Sequence, residues 1–342
     1  MIFSKNKVYL IAEIANSHEG NFESAKKLID AAHSSNADIV KFQLFKTTEL
    51  LEKNHESFNL FQKLEMKNSE WLKLIGYAKR KKIKVFFDVF GISSAKIAYK
   101  LKPDGFKIHT SDITNSQLLN FFSKSKKPIL LSTGGVTTKE ISYALERLTK
   151  NNKEIILMHG FQGYPTKLLE LNLLRIIELK KQFGLPVGIM EHVSGDSDMA
   201  MIAPLLGISL GATIIEKHLT IDRSLKGTDY FSSLNPNEFK ILSKLIHSTK
   251  QSLGSKDFVF SKNELLYRLK HKKNTIVKRP LQKNTKLNEN LFTYKRTKLK
   301  KESVPYYEFN YRLTKKKIKK GEILTGNLLK SIPKIAAVIA CR

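Results

Sequence analysis

"TIIEKHLT", residues 213–220, begins as a buried strand and ends on Glu216, Lys217 and His218. Apolar runs of this length usually close on Gly, Asn or Asp, which turn the chain. A strand that carries three ionisable residues at its C-terminal end is either leaving the core for water or reaching a site. Similar short apolar segments recur along the chain, and strands are expected at 8–14, 38–43, 84–89, 105–109, 128–132, 154–159, 186–190 and 212–217. Between them lie stretches with apolar residues at three- and four-residue spacing, such as "ESAKKLIDAAHSS" (23–35) and "SEWLKLIGYAKRKK" (69–82). Their ends follow helix grammar: Asn21 precedes the first, and Gly184 with Pro186 closes the sixth. Eight strand–helix units in about 250 residues fit a (β/α)8 barrel, the TIM barrel of the α/β class. A doubly wound open sheet is the rival arrangement, but no Gly-rich dinucleotide fingerprint follows the first strand.

Beyond about residue 260 the character changes: lysine density rises and long helical patterns stop. "TIVKRPLQKNTKLNENLF" (275–292) and "RLTKKKIKKGEILTGNLL" (312–329) align at a fixed offset, so that Leu281 matches Ile318, Leu287 matches Leu324, and Asn290-Leu291 matches Asn327-Leu328. This weak repeat predicts a small second domain of short strands and turns. The expected division is a barrel over 1–255, a linker over 256–265 and the small domain over 266–342.

Hydrophobic residues make up 41% of the 342-residue chain, enough to fill a sizeable core. The single cysteine, Cys341, excludes a disulfide framework or a Cys-ligated metal within one chain. The early run "VYLIAEIA" (8–15) contains Glu13 and leads into polar sequence, unlike a secretory signal, and no apolar stretch approaches membrane-spanning length. A cytoplasmic protein with no membrane partner is the expectation. The formal net charge of +29 raises nucleic acid as a partner. Against it, the excess is mostly Lys, spread along the whole chain, and aromatic residues are not interleaved with the basic runs. Runs such as "KRKKIK" and "TKKKIKKGE" read first as solvated faces, and anionic substrates would also benefit from the field.

In barrels of this kind the chemistry lies at the C-terminal ends of the strands. Glu13, Lys41, Asp88, Lys107, Thr110, Ser132, His159, Glu191, His192, Glu216 and His218 are expected on that rim. His192 and His218 end neighbouring strands, so their imidazoles could share one divalent cation with positions left open to water and substrate. Equally, each could be a hydrogen-bonded core residue. Lys41 and Lys107 could be anion receptors beside the Thr110 and Ser132 hydroxyls, or could snorkel at the barrel edge. Glu13 reads as a general base, a hydroxyl clamp or the structural partner of a lysine.

Taken together, "AEIANSHEGNFESAKKLIDAA" (12–32), "DIVKFQ" (38–43), "KIHTSD" (107–112), "KPILLSTGG" (127–135), "GYPT" (163–166), "EHVSGD" (191–196) and "GATIIEKHLTID" (211–222) resemble the sialic acid synthase family, of the N-acetylneuraminate synthase type with its legionaminate and pseudaminate relatives. The resemblance spans nearly the whole chain. The repeat region, with "IKKGEILTGNLL" (318–329), resembles the family's antifreeze-like (SAF) domain. The resemblance implies condensation of phosphoenolpyruvate with an N-acylated aldose, such as N-acetylmannosamine or a 2,4-diacetamido-6-deoxy hexose, in its aldehyde form. The products would be a nine-carbon 2-keto sugar acid and phosphate. It implies a divalent metal on His192 and His218, Mn2+ first, with Mg2+ or Co2+ as alternatives, polarising the aldehyde and aligning the attacking water. It places Glu13 near the reacting atoms, Lys41, Lys107, Thr110 and Ser132 on the phosphate and carboxylate, and Tyr164 on the sugar side. Arg296 in "TYKRT" (293–297) matches an arginine that holds the N-acyl group in the partner subunit's site, which implies a domain-swapped homodimer.

Four positions depart from the family pattern. Asp88 stands where a Ser or Thr hydroxyl usually faces the phosphate, Met190 replaces a hydroxyl residue, Gln162 replaces a sugar-contacting Asn, and Glu191 replaces Asp before the first metal histidine. A carboxylate about 5 Å from a phosphate charge costs roughly 3 kcal/mol per unit charge at an effective dielectric near 20. A lysine, a proton or the metal has to offset Asp88. The alternative to an active synthase is therefore a sugar-binding family member that lost turnover through Asp88 and Met190.

Overall fold

The computed structural model describes residues 3–4, 7–150, 154–298 and 301–332; the last ten residues, Cys341 among them, lie outside these spans. Eight parallel strands, β1 (Tyr9–Ala15), β2 (Ile39–Leu44), β3 (Lys84–Val89), β4 (Gly105–Ile108), β5 (Ile129–Ser132), β6 (Ile155–His159), β7 (Val187–Met190) and β8 (Ile214–His218), pair in chain order and close through β1 and β8. This is the expected TIM barrel. Around it run α1 (Phe22–Ser34), α2 (Thr47–Leu50), α3 (Phe58–Leu64), α4 (Asn68–Arg80), α5 (Ile92–Leu101), α6 (Ser116–Phe122), α7 (Thr138–Leu148), α8 (Arg175–Phe183), α9 (Met199–Ser209) and α10 (Pro236–Ser252).

Local chemistry explains these elements. Helix α1 starts where Asn21 Oδ1 accepts from Ser24 N at 2.9 Å, and it buries Ala25, Leu28, Ile29 and Ala32, one face at helical spacing. Gly184, in the left-handed region at φ 65°, ends α8 as its sequence predicts. Alternation along each strand then sorts the core into two shells. Tyr9, Ile11, Ile39, Phe86, Leu130, Ile156, Met158, Met190 and Ile214 pack inside the barrel. Leu10, Ala12, Val40, Phe42, Val85, Phe87, Leu157, Ile189 and Ile215 pack with the helices outside it.

The described residues from Ser255 onward form a second compact unit. Helix α11 (Lys262–His271) begins inside the span expected to be a linker. It has no buried residue, although Leu265, Leu266 and Leu269 stand at three- and four-residue spacing, and a Ser261–Glu264 capping box starts it. The unit contains two antiparallel ribbons, β9 (Asn274–Val277) with β10 (Phe292–Lys295) and β11 (Arg312–Thr314) with β12 (Leu329–Ser331). The sequence repeat is a structural one. Leu281 and Ile318, matched in the alignment, exchange two backbone hydrogen bonds of 2.9 Å. The bridges Ile276–Ile323 and Lys286–Leu313 map onto each other when the repeats are exchanged, as a local two-fold requires. The aligned pairs Leu281/Ile318, Leu287/Leu324 and Leu291/Leu328 share one core. Among the described residues no helix is long and apolar enough to cross a membrane.

The "TGG" turn after β5 separates two roles of glycine. A Cβ on Gly134 would lie 1.8 Å from the Gly160 carbonyl oxygen, because the chain ends of β5 and β6 touch there. Gly135 has φ +71° and open space around it. Gly134→Ala is expected to cost about 3 kcal/mol or more, since backbone must move. Gly135→Ala should cost only about 1 kcal/mol for the left-handed conformation. Urea melts of the two variants check the difference.

Candidate active site

Above the apolar barrel floor, the inward-facing positions of five adjacent strands carry charge. Glu13 on β1, Lys41 on β2, Asp88 on β3, Lys107 on β4 and Glu216 on β8 are each at most 4% exposed. Lys41 Nζ donates to Glu13 Oε2 and lies 3.5 Å from both Asp88 Oδ2 and Glu216 Oε1. Lys107 Nζ is 2.6 Å from Glu216 Oε1 and 3.6 Å from Asp88 Oδ2. Both lysines are therefore inside the barrel and do not snorkel at its edge. Glu13 takes the lysine-partner role, and its Oε1 also accepts from Ala15 N at 2.8 Å. The charge of Asp88 is met by the two lysines. Burial lowers the Lys41 pKa to about 8, with Lys107 adding to the effect and the Glu216 and Asp88 charges opposing it. At Lys107 burial also lowers, but Glu216 and Asp88 outweigh it and the pKa rises. Burial works to raise Glu216, yet the two lysines hold it below the usual carboxylate value, so Lys107 and Glu216 form an ion pair.

The two imidazoles stand beside this network. Their ring centroids are 5.1 Å apart, and the Tyr164 ring sits edge-on to His192 at 4.9 Å. His192 Nδ1 donates to the Phe161 carbonyl at 2.9 Å, since a carbonyl only accepts; Nε2 keeps its lone pair. In return Thr166 N donates to the His192 carbonyl at 2.8 Å, strapping the loop after β6 to the end of β7. His218 Nδ1 is buried and finds no hydrogen-bond partner. Burial lowers the His192 pKa to about 3, with the Lys107 charge adding to it, and lowers His218 well below the ordinary value, with His192 adding. Both rings are neutral at pH 7, the form that ligates metal. Among the described residues no group of three or more His, Cys, Asp or Glu is placed to hold a metal. The donor set fits a cation with two imidazole ligands and open positions, not a closed structural site.

Alternation moves two rim candidates away from this site. His159 and Glu191 fall on the outward parity of β6 and β7, in register with Leu157 and Ile189 of the outer shell. His159 Nε2 bonds to the Leu171 carbonyl at 2.8 Å. Glu191 Oε1 pairs with Lys217 Nζ at 2.5 Å, and Glu191 Oε2 accepts from Val193 N at 2.7 Å. This pair is buried behind the two histidines. Ser132 faces inward and donates to Met190 Sδ at 3.7 Å. Thr110 opens a 3-10 turn, Thr110–Asp112, at the end of β4, and Gln162 lies close to His109 next to it. Arg296 belongs to the second unit, where its Nε donates to the His271 carbonyl at 3.1 Å.

Two residues without an assigned sequence role belong here. Glu216, two before His218 on the same strand face, was legible from alternation alone. Asp229 lies in the β8–α10 loop with a left-handed backbone at φ 61°, where burial pushes its carboxyl up to about 6. No period marks a loop residue, so nothing in the sequence pattern points to it.

A closed barrel with its ionisable residues gathered at the C-terminal mouth defines a TIM-barrel enzyme. The NeuB family profile matches residues 28–258, and the chain belongs to that family of sialic-acid-synthase-like condensing enzymes. It is 32% identical over 335 residues to the N,N'-diacetyllegionaminic acid synthase of Campylobacter jejuni, covering 93% of this chain and 99% of that one. It is 29% identical over 263 residues to a pseudaminic acid synthase of the same species, covering 72% and 75%. The crystal structure of the N-acetylneuraminic acid (sialic acid) synthetase from Leptospira borgpetersenii superposes with a TM-score of 0.72 at 31% identity, covering 78% of this chain and 92% of that one.

The Glu191–Lys217 pair yields a stability prediction. Lys217→Met leaves an unpaired buried carboxylate and should cost about 3–5 kcal/mol. Adding Glu191→Gln removes that charge while keeping an acceptor for Val193 N, and should recover most of the loss. Denaturant midpoints of the single and double variants check this.

Proposed function

We propose that this enzyme condenses phosphoenolpyruvate with an N-acylated amino aldose, in a metal-dependent reaction, to give a sialic-acid-like nonulosonate and phosphate. The observation that carries the proposal is the juxtaposition of two neutral imidazoles with two buried lysines at one barrel mouth. The names of the relatives supply the substrate class. C3 of phosphoenolpyruvate bonds to the aldehyde carbon, whose oxygen takes a proton. Water adds at C2, and phosphate leaves as the C2–O bond breaks.

Lys41 and Lys107 are the cations for the phosphate and carboxylate, with the Thr110 and Ser132 hydroxyls as further donors. Glu13, hydrogen-bonded to Lys41, would handle the proton. His192 and His218 would hold the divalent cation, Mn2+ in the first instance, which supplies Lewis acidity at the aldehyde oxygen. Tyr164 and Gln162 face the sugar. We read the small C-terminal unit as SAF-like and Arg296 as its contribution to the partner subunit's site in a domain-swapped homodimer. Exposed Ile202 and Leu206 on α9, and Ile241 and Leu245 on the adjoining α10, are apolar surface that a second copy would cover.

The test is phosphate release from phosphoenolpyruvate with Mn2+ across N-acetylmannosamine and 2,4-diacetamido-6-deoxy hexoses, with an EDTA control. Release is expected with one sugar, abolished by EDTA, and reduced about a hundredfold or more by His192→Ala or His218→Ala. Undiminished release in both variants would remove the metal role. Arg296→Ala should raise KM for the sugar more than for phosphoenolpyruvate. The second reading, a sugar-binding member without turnover, is favoured by Asp88 and Met190 alone; tight sugar binding with no release from any sugar would select it.

A further inference from the structure

The charge count of the buried network is uneven. Lys41 and Lys107 supply two positive charges, while Glu13, Asp88 and Glu216 supply three negative ones. The closest contacts pair the lysines off with the two glutamates: Lys41 with Glu13, and Lys107 with Glu216. Asp88 shares the same two lysines at longer range. Its Oδ2 lies 3.5 and 3.6 Å from the two ammonium groups, beyond a good charge-assisted hydrogen bond, and its Oδ1 is buried without any partner. The side chain is 1% exposed, so water does not screen it. The Ser132 hydroxyl on β5 is also taken internally, by the Met190 thioether.

We propose that Asp88 is an affinity-setting resident anion: bridging Lys41 and Lys107, it competes with an incoming phosphate or carboxylate for both cations, so that such a ligand binds less tightly than it would with a neutral residue at this position. The inference rests on the reading of Lys41 and Lys107 as the anion receptors of the site. It adds that this chain holds phosphate weakly by construction. A ligand that enters must displace the Asp88 carboxylate from the lysines or bring compensating positive charge with it. Replacing Asp88 leaves two lysines facing two glutamates, a balanced set, so the fold should tolerate a neutral residue there.

The experiment is calorimetric titration of the full-length protein with phosphoenolpyruvate, and separately with inorganic phosphate, in the absence of sugar. Wild type, Asp88→Thr and the isosteric Asp88→Asn are compared at fixed ionic strength, each checked for folding by circular dichroism. Both variants are expected to bind each anion at least tenfold more tightly than wild type. If Asp88→Thr does not fold, Asp88→Asn decides. Equal or weaker binding in the folded variants overturns the proposal, whether or not the wild type turns over. The reaction reading is tested separately: tighter binding by the variants with no phosphate release from any of the three proteins would keep the role of Asp88 and remove the synthase. Release by wild type with no gain in the variants would do the reverse.

Discussion

A closed parallel barrel gives each strand residue one of two environments, the interior or the helix layer, and the choice alternates without exception along a regular strand. In this protein that constraint drives Lys41 and Lys107 into the interior, where Lys41 has no exposed surface at all. A buried ammonium survives only beside carboxylates. Glu13, Asp88 and Glu216 supply them: strand register sets Glu13 opposite Lys41 and Asp88 opposite Lys107, and Glu216 reaches Lys107 from β8, across the barrel from β4. Net stability from such buried pairs is small because desolvation offsets attraction. Packing alone would favour Leu or Ile at these positions, so stability does not account for the network.

The same closure divides the mouth of the barrel. From β8 through β1 to β4 the inward positions are charged; from β5 to β7 they are Ser132, Met158 and Met190, neutral and mostly apolar. His192 and His218 stand where β7 meets β8, at the junction of the two halves. One imidazole is oriented by the Phe161 carbonyl, the other carries a free buried nitrogen. A ligand that spans this junction meets cations and carboxylates on one side and a soft, weakly polar wall on the other. The Glu191–Lys217 pair lies behind both histidines and ties β7 to β8 from the outer shell, so the ring spacing is supported from outside the site as well as within it.

The second unit is built on a different rule. Its two repeats both contribute to one core, with Val304 and Phe309 from the segment between them, and exchanging the repeats maps hydrogen bond onto hydrogen bond, including the left-handed Asn284 and Gly321 at equivalent turns. So small a core has little redundancy, and that explains why the apolar positions recur at a fixed offset while the lysines around them drift.

Sequence by itself determined the barrel, all eight strands to within a residue or two, the caps at Asn21 and Gly184, and the repeat. Each is written locally, in period two, period 3.6 or a capping residue. It also placed Lys41, Asp88, Lys107, Ser132, His192 and His218 at strand ends, because strand direction is fixed once the fold is known. Only the tertiary structure decided which of the rim candidates share a space. His159 and Glu191 left the cluster because parity depends on register. Glu216 joined it as the partner of Lys107, 109 residues away in sequence. Asp229 came in on a loop that has no period. The pairing of Asp88 with two lysines likewise required three strands to be brought side by side, because a charge acquires its partner through distance in space, and local sequence encodes none.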